Sequence, residues 1–275
     1  MKLLVRIIKR PFLHSFANTP KQFNKLNLLF TGLHLFNKPI RVPVPETFAF
    51  LIDGKPHPLC VLAAEQLQAY LSDELHIDHN FGLAESDGPI IGKMFGVLVV
   101  RNTKNEIGFL AAFSGKMAGT NDHSMFVPPV YDLLEENSFL NIGMAKLNRL
   151  NEEIRSLEKA NETDDRLEKL RADRKNFSNA LQMEIFDHYH FLNSEGKSKS
   201  LREIFSEAAY KNPPAGAGEC AGPKLFQYAH RHRLEPLAIA EFWWGQSPKS
   251  ATWIHGNYYA PCKEKCEPIL GWMMA

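Results

Sequence analysis

The sequence predicts an α+β protein in which a mixed β-sheet, flanked by helices, is interrupted by a long antiparallel helical hairpin. Three observations point there. Two nearly continuous apolar runs, 92–100 and 106–113, stand on either side of the polar residues Asn102 to Asn105, the pattern of a β-hairpin with two well-buried strands. Residues 141–191 then carry helical spacing in two phases, and a further apolar strand pattern, 236–243, follows them. The sheet is therefore built from both halves of the chain.

The chain has 275 residues, 44% of them apolar and 23% charged, which is an ordinary globular composition with room for a substantial core. Its composition shifts divide it into a basic arm (1–45), a first α+β half (46–135), a helical insertion (136–195) and a cysteine-bearing second half (196–275). The net charge of +1 conceals the arm, which holds eight Lys or Arg and no acid. Such an arm is either a poorly anchored tail or a surface for RNA or anionic membrane. A secretory signal is not expected, because the first apolar run, Leu3 to Ile8, is broken by Arg6 and followed by Lys9, Arg10 and Pro11. No run approaches membrane-spanning length. Four cysteines without an export signal fit a reducing compartment, so the cytoplasm is the expected location.

In chain order, Phe48 to Ile52 reads as a short strand closed by the turn Asp53-Gly54. A helix from His57 to Ser72 follows, with Leu59, Leu62, Ala63, Leu67, Tyr70 and Leu71 on one stripe; Cys60 falls in that stripe and reads as core. After the β-hairpin, residues 114–129 form a long loop in which Lys116 is placed to meet an RNA phosphate, although the glycine-rich nucleotide signature is absent. Leu147, Leu150, Ile154 and Leu157 set one helical stripe, and Leu167, Leu170, Phe177 and Leu181 set the next, as in a two-helix coiled coil. The polar break between them puts the tip near 160–165. Nine basic and eight acidic residues between Lys146 and Lys175 mark a solvated face rather than a nucleic-acid stripe. His188 and His190 point in different directions, so packing or capping is expected of them rather than joint ligation. A polar linker, 193–200, leads to a helix from Leu201 to Ala209.

The last quarter carries the chemistry. A glycine- and proline-rich loop, 212–218, enters Cys220, and Cys262 and Cys266 follow about forty residues later, where turns feed two helices. That arrangement gathers thiolates for zinc, with His255 the nearest candidate for a fourth ligand in a closed structural site. The competing reading is that free cysteines simply pack as small apolar residues. Trp243, Trp244, Tyr258 and Tyr259 offer faces on which unpaired bases stack, and Lys224, Arg231 and Arg233 lie near them in sequence. With Lys116 these form the candidate RNA-binding set, and the alternation of a strand assigns at least one of the tryptophans to the core.

The strings 217–229, 236–245 and 255–270, with 56–59, 94–100, 110–116 and 126–132 upstream, resemble the amino-terminal extension of long RluA-type pseudouridine synthases. The resemblance spans roughly 46–274 and implies a setting of uridine isomerisation in ribosomal or transfer RNA. It also implies that a separate, later domain supplies the catalytic aspartate within an Arg-x-Asp motif. The only such string here, Arg171-Ala172-Asp173, sits in the charged helix, so no catalytic residue is assigned. The expected role is noncatalytic RNA recognition or scaffolding within an isomerase family. The order of elements is also similar to that of zinc-dependent nucleoside deaminases, whose zinc ligands match Cys220, Cys262 and Cys266. Two departures weigh against deamination: Gly222 stands where that family has its proton-shuttling glutamate, and the last two cysteines are separated by three residues instead of two. Glu219 and Glu241 are the available substitutes. A divergent deaminase and an assembly module that docks a protein through the helical hairpin are the two alternatives.

Overall fold

The computed structural model describes residues 32–275 except 52–53, 74–76, 86, 133–137, 161–164 and 209–210. Residues 1–31 of the basic arm, and 161–164 at the expected hairpin tip, lie outside the described residues. The fold is α+β, with six helices and a five-stranded antiparallel sheet among the described residues. The first elements are β1 (His34–Leu35), α1 (Pro58–Asp73), β2 (Lys93–Arg101), β3 (Ile107–Phe113), α2 (Phe139–Lys159) and α3 (Asp165–His188). They are followed by β4 (His190–Leu192), β5 (Ser198–Ser200), α4 (Leu201–Ser206), α5 (Ala221–Arg231), β6 (Glu235–Trp244), β7 (Tyr258–Tyr259) and α6 (Cys266–Met273).

Two compact units divide the chain: one takes residues up to Phe113, Ser124–Val127 and His232–Ala260, the other Ser114–His123, Pro128–Arg231 and Pro261–Ala275. The first unit holds the sheet, in the order β1-β3-β2-β6-β7. Every ladder in it is antiparallel, where the sequence had suggested a mixed sheet. β2 and β3 form the expected hairpin, with Leu98 opposite Leu110, and the Asn102 side chain organises its turn by accepting from the N–H groups of Lys104 and Glu106. β6 lines the other edge of β2, with Leu98 opposite Ile239. The register slips at Val99/Val100, because Pro236 has no N–H to give the ladder and Leu237 is left as the extra residue of a bulge. Of the strand expected at 48–52, the described residues 48–51 make one parallel bridge, Ala49 with Ala238, while Ile52 and the expected turn residue Asp53 lie outside the described residues; β7 takes the same edge of β6 at Glu241 and Phe242. Phe95 and Val97 to Val100 are fully buried, as the unbroken apolar run requires, and α1 lays Leu59, Cys60, Ala63, Ala64 and Leu67 against β2 and β6. Each such leucine contributes about 1.5–3 kcal/mol by leaving water.

In the second unit, Ser138 caps α2 by accepting from the N–H of Asn141. Ile154 and Leu157 of α2 pack with Leu167 and Leu170 of α3, while Gly143 lies so close to Leu181 that a Cβ there would stand 2.7 Å from its Cδ1. The flanking ion pairs, Glu153–Arg166 and Glu158–Arg171, are exposed and stabilise by under about 1 kcal/mol each. His188 stacks on both Tyr131 and Phe139, so it packs rather than ligates. The expected linker 193–200 is instead a tight hairpin of β4 and β5, because the Asn193 carbonyl oxygen of the side chain accepts from Glu195 and Lys197. A Ser200–Glu203 capping box opens α4.

Candidate metal centre and aromatic ledge

Two loops of the second unit bring the cysteines together. In the first, Gly216 and Gly218 adopt left-handed backbone, and a side chain at Gly218 would stand 2.8 Å from Tyr189 Cδ1. The loop therefore lies flat on the buried rings of Tyr189 and Phe191. Its exit is tied down by Gly115, whose N–H donates to the Glu219 carbonyl at 2.9 Å and whose carbonyl accepts from Lys224 Nζ at 2.8 Å. Cys220 comes next, immediately before α5. In the second loop the Cys262 carbonyl accepts from the N–H groups of Cys266 and Glu267, both at 3.1 Å, in the turn that leads into α6. α5 and α6 pack against each other, which completes the approach.

The sulfurs of Cys220, Cys262 and Cys266 all lie within 4.8 Å of one another, and Cys262 Sγ is 3.4 Å from Cys266 Sγ. Sulfurs around a tetrahedral ion with metal–sulfur bonds of about 2.3 Å stand about 3.8 Å apart, so the three are close enough to bind one metal. The donor set is soft, and Cys266 is buried while Cys220 and Cys262 are half-buried. Hydrogen bonds from the thiols of Cys220 and Cys266, joined by the N–H groups of Cys266 and Lys265, hold the Cys262 thiol far below its ordinary pKa against the opposing effect of burial. Lys265 reaches back over the first loop, its Nζ near Gly216. Beside Cys220, burial and the charges of Glu219 and Asp132 push the Tyr189 phenol upward.

The other expected site residues are distributed as follows. His255 belongs to the first unit, where it is exposed, its Nδ1 accepts from the N–H of Gly245 at 3.1 Å, and its ring lies 4.4 Å from Trp244. Lys224 is only 4% exposed and spends its ammonium on Gly115, which leaves it no face for a phosphate. Lys116, Arg231 and Arg233 are exposed. Trp244 is core, at 7% exposure, against Phe242. Glu241 is buried on β6 opposite Gly96 and Tyr259.

Trp243, on the opposite face of β6, is half-buried and stacks on Trp253 with centroids 6.1 Å apart and planes 19° from parallel. Trp253 in turn meets Tyr259 edge-on at 4.7 Å, and the Tyr259 hydroxyl accepts from the Ile254 N–H at 2.7 Å. Tyr258 turns inward to Phe242. Exposed Lys249, Ile254 and His255 lie on the same loop as Trp253. The sequence reading missed Trp253, since a lone tryptophan in a polar loop follows no strand or helix period. No family model, curated protein or solved structure matches the chain. No helix among the described residues is long and apolar enough to cross a membrane.

Proposed function

We propose that this chain is a noncatalytic RNA-recognition or scaffolding portion of an RluA-type pseudouridine synthase, acting on ribosomal or transfer RNA in the cytoplasm, with the catalytic aspartate supplied by a separate domain. The observation that carries the reading is the ledge of Trp243, Trp253 and Tyr259, with exposed Lys249 on the loop that holds Trp253. Aromatic faces stack on unpaired bases of any sequence, and a neighbouring cation meets the backbone phosphate. Exposed Arg233 adds positive charge within the same unit, and exposed Lys116 and Arg231 are further candidate phosphate contacts on the second unit. In this reading zinc on Cys220, Cys262 and Cys266 supplies a cross-link that fixes the two loops of the second unit, and α2 with α3 forms an antiparallel hairpin inserted into a deaminase-like order of elements. Binding of single-stranded RNA and of transfer RNA, measured over a salt series, is expected to weaken steadily as salt rises. Trp253→Ala is expected to weaken it about tenfold, the loss of one stacked base. Affinity that ignores both salt and Trp253 would sink the reading.

One observation favours a second reading, a divergent deaminase: Glu219 adjoins Cys220 and its charge reaches Tyr189. A carboxylate in that place is the kind of group proton transfer needs. Release of ammonia from nucleosides or RNA by the zinc-loaded chain, abolished in Glu219→Gln, would decide for it.

A further inference from the structure

We propose that Cys262 and Cys266 are a reversible oxidation site: a hydroperoxide oxidises Cys262, and Cys266 closes a disulfide upon it. Their sulfurs are 3.4 Å apart before any reaction, and a disulfide needs about 2.05 Å, a gap that small side-chain rotations cover. The two thiols differ in access in a way that divides the work. Cys262 is half-buried and open to a small peroxide, whereas Cys266, at 2% exposure, is shielded from peroxide and lies against the first sulfur. Cys220 is also near, but Cys262 and Cys266 are one turn apart in a single segment, so the ring they close is the shorter one and the cheaper in chain entropy. Cys60 is fully buried in the stripe of α1, with its thiol pushed up to about 12, and stays inert.

The chemistry balances in two steps. The Cys262 sulfur attacks one oxygen of hydrogen peroxide, the O–O bond breaks, and the thiol becomes a sulfenic acid as one water leaves. The Cys266 sulfur then attacks the Cys262 sulfur, a second water leaves, and the disulfide remains. Over both steps the two thiols lose two protons and two electrons, and the peroxide is reduced to two waters.

A dithiol reverses the product by exchange, attacking one sulfur of the disulfide and returning both cysteines to thiols. A metal held by the three thiols would lose two of its ligands when the disulfide forms. The inference goes beyond the RNA reading and needs no bound metal.

The test uses the full chain, freed of metal by a chelator and treated with a few-fold excess of hydrogen peroxide. Intact mass should fall by two hydrogens, peptide mapping should join Cys262 to Cys266 with Cys60 still reduced, and dithiothreitol should restore the starting mass. Cys266→Ser should stop at a sulfenic acid on Cys262 that dimedone captures, and Cys262→Ser should slow oxidation at least tenfold. A bond that maps to Cys220, a Cys262→Ser variant oxidised at the wild-type rate, or a wild-type chain that forms no disulfide would each overturn the proposal. Zinc content is measured separately, so failure of the metal reading leaves this result independent.

Discussion

Gly218 decides how the chain reaches Cys220. Its φ of 93° lies where residues with a Cβ are strained, and the Tyr189 and Phe191 rings occupy the space a methyl would need. Gly218→Ala should therefore cost about 2–4 kcal/mol, adding backbone strain to overpacking, as read from the urea midpoint. A loss under about half a kcal/mol would mean the loop is not held against Tyr189 as described. The thiols show how far environment separates residues of one type: burial outweighs a backbone hydrogen bond at Val99 and raises Cys60, while hydrogen bonds from neighbouring thiols and amides outweigh burial and lower Cys262. That contrast was partly legible, since Cys60 falls in an apolar stripe and the other three follow turns. The fate of Lys224 was not. A lysine on a helix reads as exposed, and only the approach of the Gly115 carbonyl, far away in sequence, gives its ammonium a buried partner.

Among the elements, α5 and α6 are the pair on which the thiol site depends. His230, in the last turn of α5, donates from its imidazole to the Met273 carbonyl of α6 at 3.0 Å. Burial, opposed by that hydrogen bond, lowers its pKa to about 4. The folded chain thus holds a neutral imidazole where the unfolded chain, below about pH 6.5, binds a proton. The stability it confers is complete above about 6.5 and drains away as pH falls toward 4. Burial also lowers His34 and His57, with the same sign. Between pH 7 and 4 the wild type should lose roughly 2–3 kcal/mol more than His230→Gln in urea unfolding. Parallel pH profiles for the two proteins would contradict it. The stripes of α2 and α3 were legible because leucines at helical spacing leave little choice. That 48–51 would make only a bridge was not, because propensity cannot tell that β7 will occupy the same edge of β6.

Across the whole molecule, segments distant in sequence share each unit: β1, β2, β3, β6 and β7 complete one sheet, and the second unit collects 114–123, 128–231 and 261–275. Periodicity locates such segments but carries no information on which of them meet. The thiols are the exception, because their chemistry announces an affinity for one another across forty residues of chain. The aromatic ledge fell between these cases: Trp243 and Tyr259 were visible in the sequence, but Trp253, which joins them, was supplied by tertiary structure. The proposed metal site takes three thiols from two loops. Zinc content of the purified full chain tests it most directly: about one ion per chain is expected, retained in Cys60→Ala and lost in Cys220→Ser, Cys262→Ser and Cys266→Ser alike. A chain purified in the presence of zinc that holds no stoichiometric metal, or one whose metal survives all three serine substitutions, would contradict the claim.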